Sequence, residues 1–181
     1  MKIGLCGTMS VGKTTLVNAL KELPEIKDYN FRTERSKHLM DLGIPLNTDS
    51  TLKGQLVFAS ERAAELMQEK IITDRTIIDV MAFCELSKSM SKAEKDHING
   101  VLWHLIREYE VIFHIDDISI PIEDNGVRET DKEYRLEDHN KISSILSLFG
   151  GMAGKVVRIS GTTEERIAQV LYSMGIRSYM D

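Results

Sequence analysis

Apolar residues recur along the chain in short runs that are separated by longer segments with helical spacing. The runs are bounded by glycine or by charged residues, a pattern that is typical of strands buried in a sheet. Five such runs predict strands, at residues 3–7, 29–34, 71–74, 110–116 and 155–160.

Between the runs, apolar residues three or four positions apart predict helices. These cover residues 36–43, 50–69, 75–86, 93–109, 131–149 and 162–175, and one more follows the first run. Asp49 or Ser50 is the expected N-cap of the helix over 50–69. Strands that alternate with helices predict a three-layer α/β fold, in which helices cover both faces of a five-stranded parallel sheet. Ligands of such sheets bind at the carboxyl ends of the strands.

The residues after the first predicted strand match the phosphate-binding pattern G-x-x-x-x-G-K-[ST] at every position. Glycines let backbone N–H groups fold around a phosphate, and the N-terminus of the following helix adds partial positive charge. Lys13 can reach the β- and γ-phosphates, and the Thr14 hydroxyl can ligate Mg²⁺. The pattern predicts that a nucleoside triphosphate binds at a donor loop made of Gly7, Thr8, Met9, Ser10, Val11, Gly12, Lys13, Thr14 and Thr15.

Asp74 and Arg75 close the third predicted strand. A carboxylate at this place suits a magnesium site, reached directly or through water, and an arginine beside it would point towards an acceptor. The alternative is a surface ion pair. Asp79, five residues further on, is a weaker candidate for a contact with substrate.

Glu34 and Arg35 follow the second predicted strand. A glutamate here can accept the proton of an attacking hydroxyl, and the arginine can orient an acceptor. The competing interpretation is that Glu34 and Ser36 only cap the short helix behind them.

A polar, turn-rich segment, residues 117–135, follows the fourth predicted strand and is a candidate lid. Arg128 and Arg135 lie seven residues apart, so they could face one ligand together and neutralise charge during phosphoryl transfer. Acidic neighbours leave a second interpretation open, in which Arg128 is only paired on a solvated helix.

Gly161 and Thr162 follow the last predicted strand, where the backbone can contact adenine. Thr162 and Glu165 also match the S/T-x-x-E capping box, and both roles are compatible.

The length of 181 residues suits one domain, residues 1–181. A formal net charge of −5 argues against an extended nucleic-acid footprint, although a local cluster can still bind a small anion.

Cys6 and Cys84 are expected to be buried thiols. No apolar run approaches the roughly 18 residues of a membrane span and no signal peptide is recognisable, so a cytoplasmic location is expected. The oligomeric state stays open, and a homodimer is compatible with the sequence.

Taken together, these segments resemble the P-loop nucleoside and nucleotide kinases. The likeness is greatest to the AAA-type ATPase and kinase-like domains related to the ribosylnicotinamide kinases. In that group a Glu-x-x-Arg-type segment, a long Gln-containing helix, an Asp-Arg pair and a late Asp-Asp-Gly-x-Arg segment recur in this order. The corresponding residues here are Glu34 with Arg35, Gln55, Asp74 with Arg75, and 124–128. Residues 74–83 also resemble a thymidylate kinase segment, with Thr76 in place of an aromatic residue.

The resemblance implies a strand order of 2-3-1-4-5, ATP and Mg²⁺ as ligands, and transfer of the γ-phosphoryl group to a small nucleoside-like acceptor. It also implies Glu34 as the candidate base and Asp74 as the organiser of magnesium. The candidate catalytic residues are therefore Lys13, Glu34, Asp74, Arg75 and Arg128, and the candidate magnesium ligands are Thr14 and Asp74.

The favoured function is an ATP-dependent kinase that acts on a nucleoside or a nucleoside monophosphate. One alternative is a regulatory switch that hydrolyses ATP or GTP slowly, which the acidic lid segment favours. Another is a kinase acting on a modified nucleotide in DNA or RNA, which the net charge disfavours.

Overall fold

Five strands in the described part of the chain pair in parallel to form one sheet. The computed structural model describes residues 1–33, 35–122, 131–150 and 155–176. The strands lie side by side in the order β2-β3-β1-β4-β5, which confirms the predicted order. Their bounds are β1 Lys2–Cys6, β2 Asn30–Arg32, β3 Ile71–Asp74, β4 Val111–Ile115 and β5 Lys155–Ile159.

Helices in the described residues cover both faces of this sheet. On one face α1 packs against α7, and on the other α3, α5 and α6 pack around α4. Their bounds are α1 Lys13–Lys21, α2 Ser36–Asp41, α3 Leu52–Leu66, α4 Ile77–Leu86, α5 Lys92–Leu105, α6 Lys132–Gly150 and α7 Thr163–Ser173.

Neighbouring residues of β4 supply two separate apolar cores. Val111 and Phe113 pack in the core that contains α1 and α7, whereas Ile112 packs in the core that contains α4 and α6. All five residues of β4 are buried, since a central parallel strand is covered on both faces. This burial explains why the strand appears in the sequence as a mainly apolar run, in which His114 is the one polar residue and is itself buried.

The second strand is shorter than the sequence predicts. It covers Asn30–Arg32 instead of residues 29–34, and Asn30 and Arg32 are exposed. The strand lies at the edge of the sheet and pairs only with β3. With one neighbour, it has fewer hydrogen bonds to hold its ends in the extended conformation.

The N-cap of α3 is Thr51, so the prediction of Asp49 or Ser50 is wrong. Residues Asn47–Asp49 form a short 3₁₀ turn, and the Ser50 hydroxyl donates to the Asn47 carbonyl oxygen at 2.7 Å. Thr51 is the residue with the extended backbone that a cap requires, and its hydroxyl accepts from the Gly54 N–H.

Cys6 and Cys84 are both buried free thiols, as predicted. No helix among the described residues has both the length and the apolar character needed to cross a bilayer.

Gly4 brings β1 close to the residues that precede α4. A Cβ at this position would clash with Thr76 Cγ2 and would come 3.0 Å from Tyr109 Cε1. We therefore expect Gly4→Ala to lower the free energy of unfolding by about 1–3 kcal/mol, measured by urea denaturation.

Gly100→Ala is the matched control, because Gly100 is exposed in α5 and a Cβ there would meet nothing within 4 Å. It should raise the free energy of unfolding by up to about 1 kcal/mol. Equal stabilities for Gly4→Ala and the wild type would contradict the close packing around Gly4.

Candidate active site

The donor loop joins β1 to α1, and its geometry requires glycine at two positions. Gly7 has φ of 150°, and a Cβ there would collide with the Ile115 carbonyl oxygen. Gly12 has φ of 90° and is the N-cap of α1, where it offers no side chain to the N–H groups of the first turn. Such an uncapped helix N-terminus favours an anion.

Lys13 lies inside the donor loop, where only 6% of the residue is exposed. Its ammonium group donates to the carbonyl oxygens of Gly7 and Thr8, both at 2.6 Å. Burial, and secondarily the charge of Arg75, lower the pKa of Lys13. The structure thus concentrates positive charge at the position where the motif predicts phosphate binding.

Thr14 and Asp74 meet at the edge of the sheet, although they are far apart in the sequence. The Thr14 hydroxyl donates to Asp74 Oδ2 at 2.5 Å. Asp74 is fully buried, and Oδ1 of its carboxylate has no hydrogen-bond partner among the described residues. A hydroxyl and a carboxylate with a spare oxygen fit the oxygen ligands that Mg²⁺ prefers. Their role as metal ligands stays a prediction.

Arg75 adopts a left-handed backbone conformation, with φ of 77°. This conformation is uncommon for a residue with a side chain, and such residues cluster at functional sites. The guanidinium lies 5.0 Å from the ring centroid of Phe83 and 3.5 Å from Asp79 Oδ1, and the residue lines a cavity that also borders the donor loop. The turn after β3 therefore turns its side chain towards that cavity.

Arg62 of α3 binds the backbone of the turn after β3, and the sequence did not predict this contact. Its Nη1 donates to the carbonyl oxygens of Asp74 and Arg75 at 3.2 and 3.4 Å, and its Nη2 donates to Glu65 Oε1 at 2.8 Å. Both side chains are nearly fully buried, and burial raises the pKa of Glu65. An arginine and a glutamate three residues apart inside an amphipathic helix were the only signal available.

Asp79, the weaker candidate for a substrate contact, caps α4 instead. Its fully buried carboxylate accepts from the Thr76 N–H at 2.7 Å and from the Thr76 hydroxyl at 2.9 Å. The Thr76 hydroxyl in turn accepts from the Ile78 N–H, which completes a capping arrangement.

One cavity of about 350 Å³ joins the donor loop to α2, α3 and α4. On the donor side it is lined by Met9, Ser10, Gly12, Lys13, Thr14, Thr15, Gly161, Thr162, Thr163 and Arg166. On the opposite side it is lined by Ser36, Lys37, Leu46, Asn47, Ser50, Gln55, Phe58 and Phe83. Asp74, Arg75 and Ile120 complete the lining. The cavity has the size of an ordinary small-molecule site.

Gly161 and Thr162 line the donor side of the cavity, and their contact with adenine stays a prediction. Thr162 is also the N-cap of α7, in a capping box with Glu165. Arg166, one turn later, donates through Nη1 to the Val11 carbonyl oxygen at 2.8 Å, so the first turn of α7 contacts the donor loop.

Two candidate catalytic residues, Glu34 and Arg128, lie outside the described residues. Arg135 is described and is buried, with its Nη1 donating to the carbonyl oxygens of Ile118 and Ile120 at 3.3 and 2.7 Å. It therefore holds the first part of the segment after β4. Arg35 forms an ion pair with Glu61 at 3.0 Å and does not line the cavity.

A protein-family model for an AAA domain, AAA_28, matches residues 2–166. The chain belongs to this AAA domain family. Comparison with curated protein sequences finds no match.

Several solved structures share the fold of this AAA domain. Deoxyadenosine kinase from M. mycoides has a TM-score of 0.67 and 12% identity, over 97% of this chain and 99% of its own. Thymidylate kinase from Ehrlichia chaffeensis has a TM-score of 0.61 and 17% identity, over 96% and 98% of the two chains. NadR in complex with NR has a TM-score of 0.74 and 19% identity over 99% of this chain, which spans only 53% of the NadR chain.

Removal of Arg62 tests its support of the turn after β3. We expect Arg62→Met to lower the free energy of unfolding by about 3–5 kcal/mol, because Glu65 would stay buried without its cation. The double variant Arg62→Met/Glu65→Leu should recover much of this loss. Urea denaturation gives both values.

Arg35→Met is the control, because the Arg35 side chain is 49% exposed and its ion pair should contribute less than about 1 kcal/mol. If Arg62→Met costs no more than Arg35→Met, the buried contacts of Arg62 with Glu65 and with the turn do not stabilise the fold.

Proposed function

We propose that this protein is an ATP- and Mg²⁺-dependent kinase that transfers the γ-phosphoryl group to a nucleoside or a nucleoside monophosphate. The observation that carries the proposal is that one cavity includes both the donor loop and a second wall of aromatic and polar side chains. A protein that only binds or hydrolyses a nucleotide does not need this second wall.

The donor half of the cavity is suited to a triphosphate. The N-terminus of α1 and the buried ammonium of Lys13 supply positive charge, and Gly161 and Thr162 line the same side as candidate contacts of the base. Thr14 and Asp74 would hold Mg²⁺, which would neutralise charge on the phosphates when bound.

The acceptor half is suited to a planar, hydrogen-bonding group. Gln55 is 2% exposed and lines the cavity, and its Oε1 has no hydrogen-bond partner within the described part of the chain. Phe58 and Phe83 line the same half. A buried amide needs partners, and aromatic rings pack well against flat faces. A nucleobase, or another aromatic ring that carries an amide, satisfies both requirements.

Lys37 and Arg75 add positive charge to the acceptor half. This charge is suited to a monophosphate on the acceptor as well as to the phosphoryl group in transit. The proposed acceptors therefore include nucleoside monophosphates as well as nucleosides.

Transfer needs positioning and charge neutralisation more than covalent help from the protein. The attacking oxygen, which is a hydroxyl oxygen of a nucleoside or a phosphate oxygen of a monophosphate, forms a bond to the γ-phosphorus while the bond from that phosphorus to the β,γ-bridging oxygen breaks, and ADP leaves. Where the acceptor is a nucleoside, Glu34 is the candidate acceptor of the hydroxyl proton. Lys13 and Arg75, with Arg128 as the candidate lid residue, would stabilise the negative charge of the transition state.

The names of the similar structures support the same class. A deoxyadenosine kinase and a thymidylate kinase act on a nucleoside and a nucleotide, and the NadR structure contains NR. Their identity to this chain is below 20%, so they suggest the kind of acceptor without specifying it.

The proposal predicts ADP release that depends on the acceptor. The purified protein would be incubated with MgATP and, one at a time, with nucleosides, nucleoside monophosphates and nicotinamide riboside. We expect at least one acceptor to be phosphorylated, with the product identified by mass spectrometry. Lys13→Ala should lower kcat/KM by about 10²–10³-fold, as expected for the loss of one group that stabilises the transition state.

Two outcomes would contradict the kinase proposal. ATP hydrolysis without any phosphorylated acceptor would favour a regulatory switch. Phosphorylation of an oligonucleotide but of no free nucleoside or nucleotide would favour a kinase acting on nucleic acid.

Gln55→Leu tests the acceptor half. We expect it to raise the KM for the acceptor by about 10–100-fold, because a hydrogen-bonded group would lose its buried partner, while the KM for MgATP changes less than about threefold. Gln68→Leu is the control, since Gln68 follows the end of α3 and does not line the cavity. An unchanged acceptor KM in Gln55→Leu would exclude the proposed acceptor contact.

A further inference from the structure

The helix α6 passes directly behind the donor loop and contacts it through a buried acid. The Thr8 hydroxyl donates to Asp138 Oδ2 at 2.6 Å, and neither residue is exposed to solvent. Neither residue lines the cavity. The contact therefore lies on the side of the loop that faces away from the ligand.

Burial of the Asp138 carboxylate is unfavourable in free energy. Burial raises the pKa of its carboxyl to about 6, and the Thr8 hydroxyl and the charge of Arg75 oppose this shift only in part. Asp79 raises the pKa further and Lys13 lowers it. Within the described residues, Oδ1 of Asp138 has no hydrogen-bond partner. One hydroxyl does not compensate a buried carboxylate, so packing alone would favour an apolar residue.

The same part of α6 also holds the segment that follows β4. Arg135, almost one turn before Asp138, donates to the carbonyl oxygens of Ile118 and Ile120, and Ile120 lines the cavity. The carbonyl oxygen of Arg135 is also 3.4 Å from the Thr8 hydroxyl. One segment of α6 therefore fixes the donor loop and one edge of the cavity relative to each other.

We propose that Asp138 is a positioning residue for nucleotide binding, which fixes the backbone of the donor loop by accepting the hydrogen bond of Thr8. Two peptide groups beyond Thr8, the loop turns through the left-handed backbone of Ser10 on its way to Lys13. A hydroxyl anchored at Thr8 restricts this turn before the ligand arrives, so that less conformational entropy is lost on binding. The proposal rests on the nucleotide binding in the proposed function and is independent of the acceptor.

The test compares the affinity for MgATP with stability, because a residue that serves packing alone would change both in the same direction. Asp138→Leu and Thr8→Val each remove the hydrogen bond. We expect each to weaken MgATP binding at least tenfold by calorimetric titration. Asp138→Leu should nevertheless be no less stable than the wild type in urea at pH 8, where the buried carboxylate is charged.

A double-mutant cycle links the two side chains. In Thr8→Val/Asp138→Leu the loss of affinity should be no greater than in either single variant, since both remove the same interaction. Asp138→Asn keeps an oxygen that can accept from Thr8, so its loss should be smaller than that of Asp138→Leu. Where an acceptor is known, the KM for MgATP should rise in Asp138→Leu while the KM for the acceptor stays within about twofold.

Glu137→Leu is the matched control, because Glu137 is the exposed neighbour of Asp138 on α6 and should not alter MgATP affinity. Unchanged affinity in both Asp138→Leu and Thr8→Val, or a loss of affinity that only parallels a loss of stability, would overturn the inference. A wild type that fails to bind MgATP would overturn the proposed function and this inference together.

Discussion

Leu5 of β1 lies opposite Asp74 of β3, and this register brings the ends of both strands to one edge of the sheet. The Arg75 N–H extends the pairing by donating to the Leu5 carbonyl oxygen at 3.0 Å. The donor loop leaves β1 at this level, so Thr14 in the first turn of α1 reaches the Asp74 carboxylate across 60 positions of sequence. A shift of one residue in this register would turn Asp74 to the other face of the sheet, and the pair would separate.

Several buried charged side chains stabilise this arrangement from positions outside the cavity lining. Arg62 binds the carbonyl oxygens of the turn after β3, and Asp79 binds the N-terminus of the helix that follows. Asp138 accepts from the donor loop. Each of these groups loses hydration on burial and recovers only part of it through hydrogen bonds, so the groups add little stability compared with apolar residues in their place, although removal of one partner of a pair is costly. Their common effect is to restrict the conformational freedom of the backbone that carries the candidate site residues. A restriction of this kind lowers the entropic cost of binding.

The sequence predicts the part of the molecule that local rules control. Burial on both faces explains the consecutive apolar residues with which β3 and β4 begin, and the donor loop is a contiguous motif whose glycines have a steric reason. The edge strand β2 and the N-cap Thr51 were predicted less well, because both depend on neighbours that the local sequence does not specify. Arg62 and Asp138 could not be predicted, since a charged residue within a helix most often faces solvent and only tertiary packing shows that these two are buried.

The two halves of the cavity therefore differ in how the sequence encodes them. The proposed donor half is made mainly of one contiguous loop and a helix N-terminus, so a single short motif specifies both its backbone N–H groups and the side chains of Lys13 and Thr14. The proposed acceptor half is made of side chains from three separate helices and the loop between two of them, including Lys37, Gln55 and Phe83. A substitution at any one of these positions changes the shape and the hydrogen-bonding capacity of that half without disturbing the sheet or the donor loop. Solved structures that share this fold at less than 20% identity are named deoxyadenosine kinase, thymidylate kinase and NadR, so the fold by itself does not specify what binds in that half.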